Sequence, residues 1–162
     1  IPATSIRPFN IYGPRRGEAA LYRFIDWSLN NKDIIIHGDG DQIRSWCYID
    51  DFVDAIELCL LNDNSVGEIF NIGNPKCTTT ILSLAELVIR LADSKSKIKF
   101  IDKPYEDIEL RIPSIERAKV SLGYNPKIDL STGIQNTIEW YKSNQKSISI
   151  DPSRDLVAKE KY

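Results

Sequence analysis

The chain has 162 residues, of which 42% are hydrophobic and 27% are charged. This balance is typical of a globular domain large enough to bury a core. The net charge of −2 gives no basis for nucleic-acid binding through bulk charge, so an anion site would have to consist of a few placed arginines. The longest apolar run, AIELCLL, is short and contains Glu57, and no signal peptide is visible, so we expect no membrane segment.

Sulfur usage bears on the cellular compartment. The three cysteines are odd in number and lack CxxC spacing, and Cys47 and Cys59 fall in apolar patterns. This usage indicates buried free thiols and a cytoplasmic protein.

The first residues of the sequence are also informative. The chain contains no Met and opens IPATSIRPF, at or just before a strand. We therefore expect it to be a piece excised from a longer protein.

Strands and helices alternate along the first part of the chain. The pattern predicts a strand over residues 4–12, a helix over 18–30, a strand over 33–37 and an extended segment over 43–49. Asp50 or Asp51 is expected to cap the following helix.

The second part continues the alternation. A strand is predicted over 68–73, a helix capped by Thr79 or Thr80, and a strand over 98–101. Residues 102–113 are expected to form a loop, Ser114 to cap a short helix closed by Gly123, and Asp129 or Ser131 to start the last helix. These elements predict an α/β domain over residues 1–144 and a polar tail over 145–162.

Asn10 is the first candidate ligand-binding residue. In a strand it would point away from Phe9 and Ile11, so its amide could donate to a phosphate or sugar oxygen. The alternative is that the amide only ties down the turn at Gly13.

Two arginines are candidates for binding an anion. Arg44 lies in an extended segment with Trp46 and Tyr48 on the same face, and could hold a phosphate through two hydrogen bonds. The alternative is a surface pair with Asp39 or Asp41. Arg111 lies in the polar loop, where solvated arginines are common.

Other chemistries find little support. The acidic residues around Arg44 lack calcium-loop spacing, and a single histidine, His37, supports neither a zinc site nor a Ser-His-Asp triad. No glycine-rich turn for a dinucleotide phosphate follows a predicted strand. We therefore assign no metal ligand and no catalytic residue.

Five motifs occur in a fixed order: RPFNIYGPR, IIIHGDGDQIRSWCYIDDFVDAI, GEIFNIGNP, RIPSIERAKVSLGYNPK and LSTGIQNTIEWY. In this order and spacing the chain resembles the extended short-chain dehydrogenase/reductases, and more narrowly the NAD-dependent epimerase/dehydratase family acting on nucleotide sugars. The resemblance covers about residues 4–142. It implies the C-terminal, substrate-binding part of a Rossmann-type enzyme, a small mixed sheet with helices, without the N-terminal nucleotide-binding half.

The resemblance also implies roles for individual residues. Arg44 and Arg111 would bind the diphosphate of a UDP-, dTDP- or GDP-sugar, and Asn10 the diphosphate or sugar. Pro8 and Phe9 would lie beside the nicotinamide ring of NAD. The remaining substrate contacts would be made around the base, by Ile36, His37 and Leu21.

The chain departs from the family in three ways. It has no glycine-rich turn, no Tyr is followed four residues later by Lys, and Ser114 stands where family members often carry Asp. We expect the first two motifs to lie upstream of Ile1, and the chain to be inactive alone. Strands 4–12 and 68–73 would be left with unpaired edges, so we also expect self-association, as a homodimer, and pairing with the upstream half.

The reaction stays open among epimerase, dehydratase and decarboxylase. A non-catalytic nucleotide-sugar-binding module of the same descent, and an interaction domain with no small ligand, are the alternatives.

Overall fold

The computed structural model describes residues 2–15, 19–103 and 106–144. The helices are α1 (Ala20–Leu29), α2 (Ile49–Leu61), α3 (Ile81–Leu91), α4 (Glu116–Leu122) and α5 (Leu130–Asn144). The strands are β1 (Ser5–Pro8), β2 (Ile11–Tyr12), β3 (Ile34–His37), β4 (Ile43–Ser45), β5 (Cys47–Tyr48), β6 (Ile69–Ile72), β7 (Thr78–Thr80), β8 (Ile98–Ile101) and β9 (Leu110–Arg111). The predicted α/β class is confirmed. The predicted tail, 145–162, lies outside the described residues, so the boundary at 144 stays a prediction.

The strands form four small sheets. Three are parallel pairs: β1 with β6, β2 with β5, and β3 with β8. The fourth is mixed, because β4 pairs antiparallel with β7 on one side and parallel with β9 on the other. The small mixed sheet expected from the resemblance is therefore present, with β4 in its centre.

The single strand predicted over residues 4–12 is wrong. The backbone turns at Asn10, whose φ of 42° lies in the left-handed region, so β1 ends at Pro8 and β2 begins at Ile11. Asparagine is one of the few residues that adopt this conformation readily. The break sends the two halves to different partners, β6 and β5.

The predicted helix ends are partly confirmed. The Thr80 hydroxyl accepts a hydrogen bond from the Ser83 N–H, and Asp129 accepts one from the Thr132 N–H. Gly123 closes α4 with a φ of 71°. The caps predicted for Asp50 or Asp51 and for Ser114 are wrong, because α2 and α4 begin after Tyr48 and Ile115 without a side-chain cap.

Asp51 has a different structural role. Its buried carboxylate accepts the backbone N–H groups of Lys127 and Ile128 at 2.8 and 3.2 Å. Two charge-assisted hydrogen bonds in a water-excluded position therefore hold the segment before α5 onto α2.

Two apolar clusters stabilise the chain. The larger one packs α1, α3 and α5 around β3 and the β2–β5 pair. The smaller one joins α2 and α4 to one face of the β1–β6 ladder through Phe70, Ile72, Tyr124 and their neighbours. Among the described residues, no helix has both the length and the apolar character needed to cross a bilayer.

The three cysteines are free and buried, as predicted for Cys47 and Cys59. Burial raises the pKa of Cys47 to about 12 and that of Cys77 to about 11, from an ordinary value of 9.0. These thiols are therefore protonated at neutral pH and unsuited to nucleophilic chemistry.

Replacing Asp51 tests the connection between α2 and the segment before α5. We expect Asp51→Ala to lower the free energy of unfolding by roughly 2–4 kcal/mol, because two buried N–H groups lose their acceptor. Asp50→Ala is the matched control, since Asp50 lies in the same helical turn but is exposed, and it should change stability by less than about 0.5 kcal/mol. Urea unfolding of both variants measures the difference, and equal effects would contradict this role for Asp51.

Alkaline pH provides a second test of the core. The thiols of Cys47 and Cys77 ionise at higher pH in the folded chain, so their contribution to stability is intact below about pH 9 and is lost as the pH rises towards 11 and 12. Each thiol can contribute a slope of at most about 1.4 kcal/mol per pH unit. Cys77→Ser should unfold with a shallower dependence across this range when urea midpoints are compared, and an identical slope would argue against the shift.

Candidate functional site

The mixed sheet places the two candidate arginines beside each other. Strands β4 and β9 pair so that Arg44 faces Arg111 in register. Facing residues of neighbouring strands project from the same side of a sheet, only about 5 Å apart at their Cβ atoms. Two arginines separated by 66 intervening residues thus meet on one face. The sequence predicted a loop at Arg111, whereas the structure has a short strand there.

Arg44 is held firmly. Its residue is only 8% exposed, and its Nη1 donates to the backbone carbonyls of Ile43 and Glu109 at 2.9 and 3.3 Å. Its Nη2 donates to Oδ1 of Asp107 at 3.1 Å. The alternative of a surface pair with Asp39 or Asp41 is wrong, because Arg44 is buried and its carboxylate partner is Asp107.

Arg111 differs from its neighbour. It is exposed, and its guanidinium has no hydrogen bond or ion pair to any of the described residues. A buried guanidinium that is paired with Asp107 thus lies beside an exposed guanidinium that no described carboxylate neutralises. Such a pair favours an anion with more than one charge.

Asn10 also contacts β4, through its side-chain amide. Its Nδ2 donates to the carbonyl of Ser45, the residue after Arg44, at 2.7 Å. The alternative that its amide ties down the Gly13 turn is wrong, because the Gly13 N–H donates to the Tyr22 hydroxyl instead. Asn10, Arg44 and Arg111 are thus connected through β4, although Asn10 uses one of its amide protons for the protein itself.

Pro8 and Phe9 lie at the end of β1, next to this group. Pro8 is exposed and Phe9 is partly buried, with its N–H donating to the Ile72 carbonyl. A Cβ at Gly73 would lie 2.7 Å from Cγ of Pro113 and 3.1 Å from Cβ of Phe9. The glycine therefore allows the residues after β9 to approach Phe9.

The residues expected around a nucleotide base lie elsewhere. Ile36 and His37 end β3 and are separated from β4 by residues 38–42, and only His37 is exposed. Leu21 has no exposed surface and packs in the larger apolar cluster from α1. Because the Leu21 side chain is fully buried, the expected contact with a base would have to use its backbone, and it stays a prediction.

Several contributors to the site were missed from the sequence. Asp107 binds Arg44 across 63 positions of the chain, and Ser45 receives Asn10 through its carbonyl while its hydroxyl donates to the Asn74 carbonyl at 2.6 Å. The only sequence signal for Asp107 is its place in the acidic stretch EDIEL just before Arg111. Backbone carbonyls carry no signal in the residue type.

Two buried tyrosines are unsuited to act as bases at neutral pH. Tyr12 and Tyr124 lie in the interior, and burial raises the pKa of each phenol well above its usual value. The chemistry that the arginine pair offers is the orientation of an anion, which is a different task from acid–base catalysis.

Two Asn10 variants separate its backbone role from its amide role. We expect Asn10→Ala to destabilise the chain by about 1–3 kcal/mol, because alanine strains at positive φ and the bond to Ser45 is lost. Asn10→Gly loses only the bond, so its midpoint in urea unfolding should lie between those of Asn10→Ala and the unchanged chain. Equal midpoints for the two variants would show that the left-handed backbone is not what asparagine supplies.

Comparisons with protein families and with curated proteins identify the same group of enzymes. Residues 1–73 match the model of the NAD dependent epimerase/dehydratase family. UDP-glucuronate 4-epimerase of Thermodesulfobacterium geofontis is 33% identical over 141 residues, which cover 86% of this chain and 43% of the relative. UDP-glucuronic acid decarboxylase 3 of Arabidopsis thaliana is 37% identical over 131 residues, 79% of this chain and 37% of the relative. The chain thus spans less than half the length of these relatives.

Solved structures give the same result. UDP-glucuronic acid 4-epimerase from Bacillus cereus, in complex with UDP-glucuronic acid and NAD, superposes with a TM-score of 0.82 at 30% identity, covering 88% of this chain and 46% of that one. UDP-glucose 4-epimerase from Thermotoga maritima, solved with UDP-glucose, superposes with a TM-score of 0.81 at 28% identity. The match covers 88% of this chain and 46% of that one. The shared sequence, the Rossmann-type relatives and the α/β fold together show that this chain is similar, over most of its own length, to part of the enzymes of the NAD-dependent epimerase/dehydratase family, which are extended short-chain dehydrogenase/reductases.

Proposed function

We propose that this chain is the nucleotide-sugar-binding part of an NAD-dependent sugar-nucleotide epimerase, dehydratase or decarboxylase. The observation that carries the proposal is the register of β4 and β9, which sets Arg44 beside Arg111 on one face. Two neighbouring guanidinium groups suit the diphosphate that links base and sugar, because charge-assisted hydrogen bonds are roughly twice as strong as neutral ones. The solved relatives in complex with UDP-glucuronic acid and UDP-glucose support this ligand class.

The other predicted site residues take roles consistent with their positions. Asn10, anchored to the Ser45 carbonyl, retains its side-chain oxygen and one amide proton for the diphosphate or the sugar. Ile36 is buried, so it would contact the base through its backbone, with His37 at the surface beside it. Fixing the diphosphate in this way would fix the position of the attached sugar, and positioning is the main requirement of hydride transfer.

NAD is part of the proposal, and the described residues fit one portion of it. The exposed Pro8 and the partly buried Phe9 form an apolar edge on which a nicotinamide ring can pack. Bound NAD would supply the hydride acceptor for oxidation of a sugar carbon. The 162 residues contain neither a glycine-rich phosphate turn nor a Tyr-x-x-x-Lys motif, so we propose that the chain is inactive alone.

The β1–β6 ladder supports an upstream partner half. Parallel sheets usually have both faces covered, yet here α2 and α4 cover one face while Ser5, Arg7 and Ile69 are exposed on the other. Within the described residues, β6 is the one strand that pairs with β1. We propose that the nucleotide-binding half of the same enzyme adds to this ladder, and that the complete enzyme is a cytoplasmic homodimer.

Calorimetry with UDP-glucuronate, dTDP-glucose and a GDP-sugar tests the proposal. We expect one of them to bind the folded chain, and Arg111→Gln to weaken that binding by about tenfold or more, because a hydrogen bond between charged groups is lost. Arg117→Gln is the matched control. Arg117 is also exposed, but it lies on α4, where it pairs with Glu68 at 3.2 Å, and its loss should leave affinity unchanged.

The outcomes distinguish the alternatives. No binding of any nucleotide sugar to the folded chain would favour an interaction domain over the proposed function. Equal weakening by Arg111→Gln and Arg117→Gln would show that general positive charge, and not the β4–β9 pair, attracts the ligand.

A further inference from the structure

The donors of Arg44 are largely occupied by the protein itself. A guanidinium carries five N–H groups. The two on Nη1 donate to the carbonyls of Ile43 and Glu109, and one on Nη2 donates to Asp107. Within the part of the chain that the structure describes, two donors have no acceptor, one on Nε and one on Nη2.

The Asp107 carboxylate forms with Arg44 the ion pair that an external anion would otherwise form. The Arg44 side chain is 10% exposed and the Asp107 side chain 35%. A guanidinium removed from water to this degree requires a countercharge, and the carboxylate supplies it. The same Oδ1 also accepts the N–H of Ile108 at 2.8 Å, so the carboxylate is oriented by its own loop segment.

The contrast with Arg111 shows the consequence. The exposed guanidinium of Arg111 is ready to attract an anion, whereas Arg44 beside it is neutralised. An incoming dianion would meet a carboxylate next to the very group that it has to reach, and like charges at short distance repel. A ligand can use the two remaining donors, but it meets the full charge of Arg44 only when the Asp107 carboxylate moves away.

We propose that Asp107 is an internal competitor for the positive charge of Arg44, which opposes an incoming anion until it is displaced, so that the site selects for ligands carrying at least two negative charges. The inference rests on the proposed function for the identity of the ligand. It assigns to Asp107 a role in specificity, exerted through Arg44. A ligand with a single charge replaces the carboxylate without electrostatic gain, whereas a diphosphate replaces it and also engages Arg111.

Asp107→Asn tests the proposal. Asparagine keeps an oxygen that can accept from Arg44 and Ile108, so the variant should fold, which thermal unfolding without ligand verifies. We expect calorimetry to show inorganic pyrophosphate and UDP bound about tenfold more tightly than by the unchanged chain. A residue that merely supported the fold would weaken binding on replacement, so a gain in affinity is specific to competition.

Glu106→Gln is the matched control, because Glu106 carries the same charge in the adjacent position and is exposed, without a hydrogen bond or ion pair to the described residues. It should change affinity by less than about twofold. Equal gains in the two variants, or weaker binding by Asp107→Asn, would overturn the competitor role while leaving nucleotide binding by the unchanged chain intact. If Asp107→Asn binds pyrophosphate more tightly than the unchanged chain does, but neither chain binds UDP, the competitor role is supported and the proposed function is contradicted. If neither the unchanged chain nor any variant binds pyrophosphate or UDP, both are contradicted.

Discussion

The hydrogen-bonded position of β4 is the constraint on which the site depends. This three-residue strand lies between β7 and β9, follows the turn after β3, and accepts the side chain of Asn10 at its end. The contacts with β7, β9 and Asn10 all come from distant parts of the chain. If β4 shifted by one residue, Arg44 would project from the opposite face and lose both Arg111 and the carbonyl of Glu109, because side chains alternate along a strand.

Burial of Arg44 makes this arrangement both rigid and selective. The guanidinium is held by the carbonyls of Ile43 and Glu109, and these two contacts keep it in place when a ligand competes with the Asp107 carboxylate. The exposed Arg111 has no such contact within the described residues. If the proposed diphosphate ligand binds here, Arg44 supplies a contact that the protein has already positioned.

Much of the fold followed from local pattern. The helices α1, α3 and α5 and the strands β3, β6 and β8 have periodicities that one sequence displays, and Thr80, Asp129 and Gly123 end or begin helices by local hydrogen bonds and backbone conformation. The family resemblance identified the arginine pair, although their register could not be derived from either segment alone.

The features of the fold and the site that the sequence did not predict depend on contacts between residues that are distant in sequence. Asp51 lies in the first turn of α2, where an acidic residue suggests a helix cap. Its carboxylate instead accepts hydrogen bonds from the backbone N–H groups of the segment before α5. Phe9 and Ile11 suggested one continuous strand, yet the bond from Asn10 to Ser45 favours a break. Asp107 had no feature that distinguished it from its acidic neighbours. In each case the deciding partner lies dozens of residues away.

The burial of all three thiols has a chemical consequence for the molecule. The chain contains no methionine, and Cys47, Cys59 and Cys77 are enclosed in the interior. Oxidation of sulfur by peroxide follows thiolate character and solvent access, and the folded chain offers little of either. The rate at which these sulfur atoms are oxidised should therefore increase with the frequency at which the chain opens.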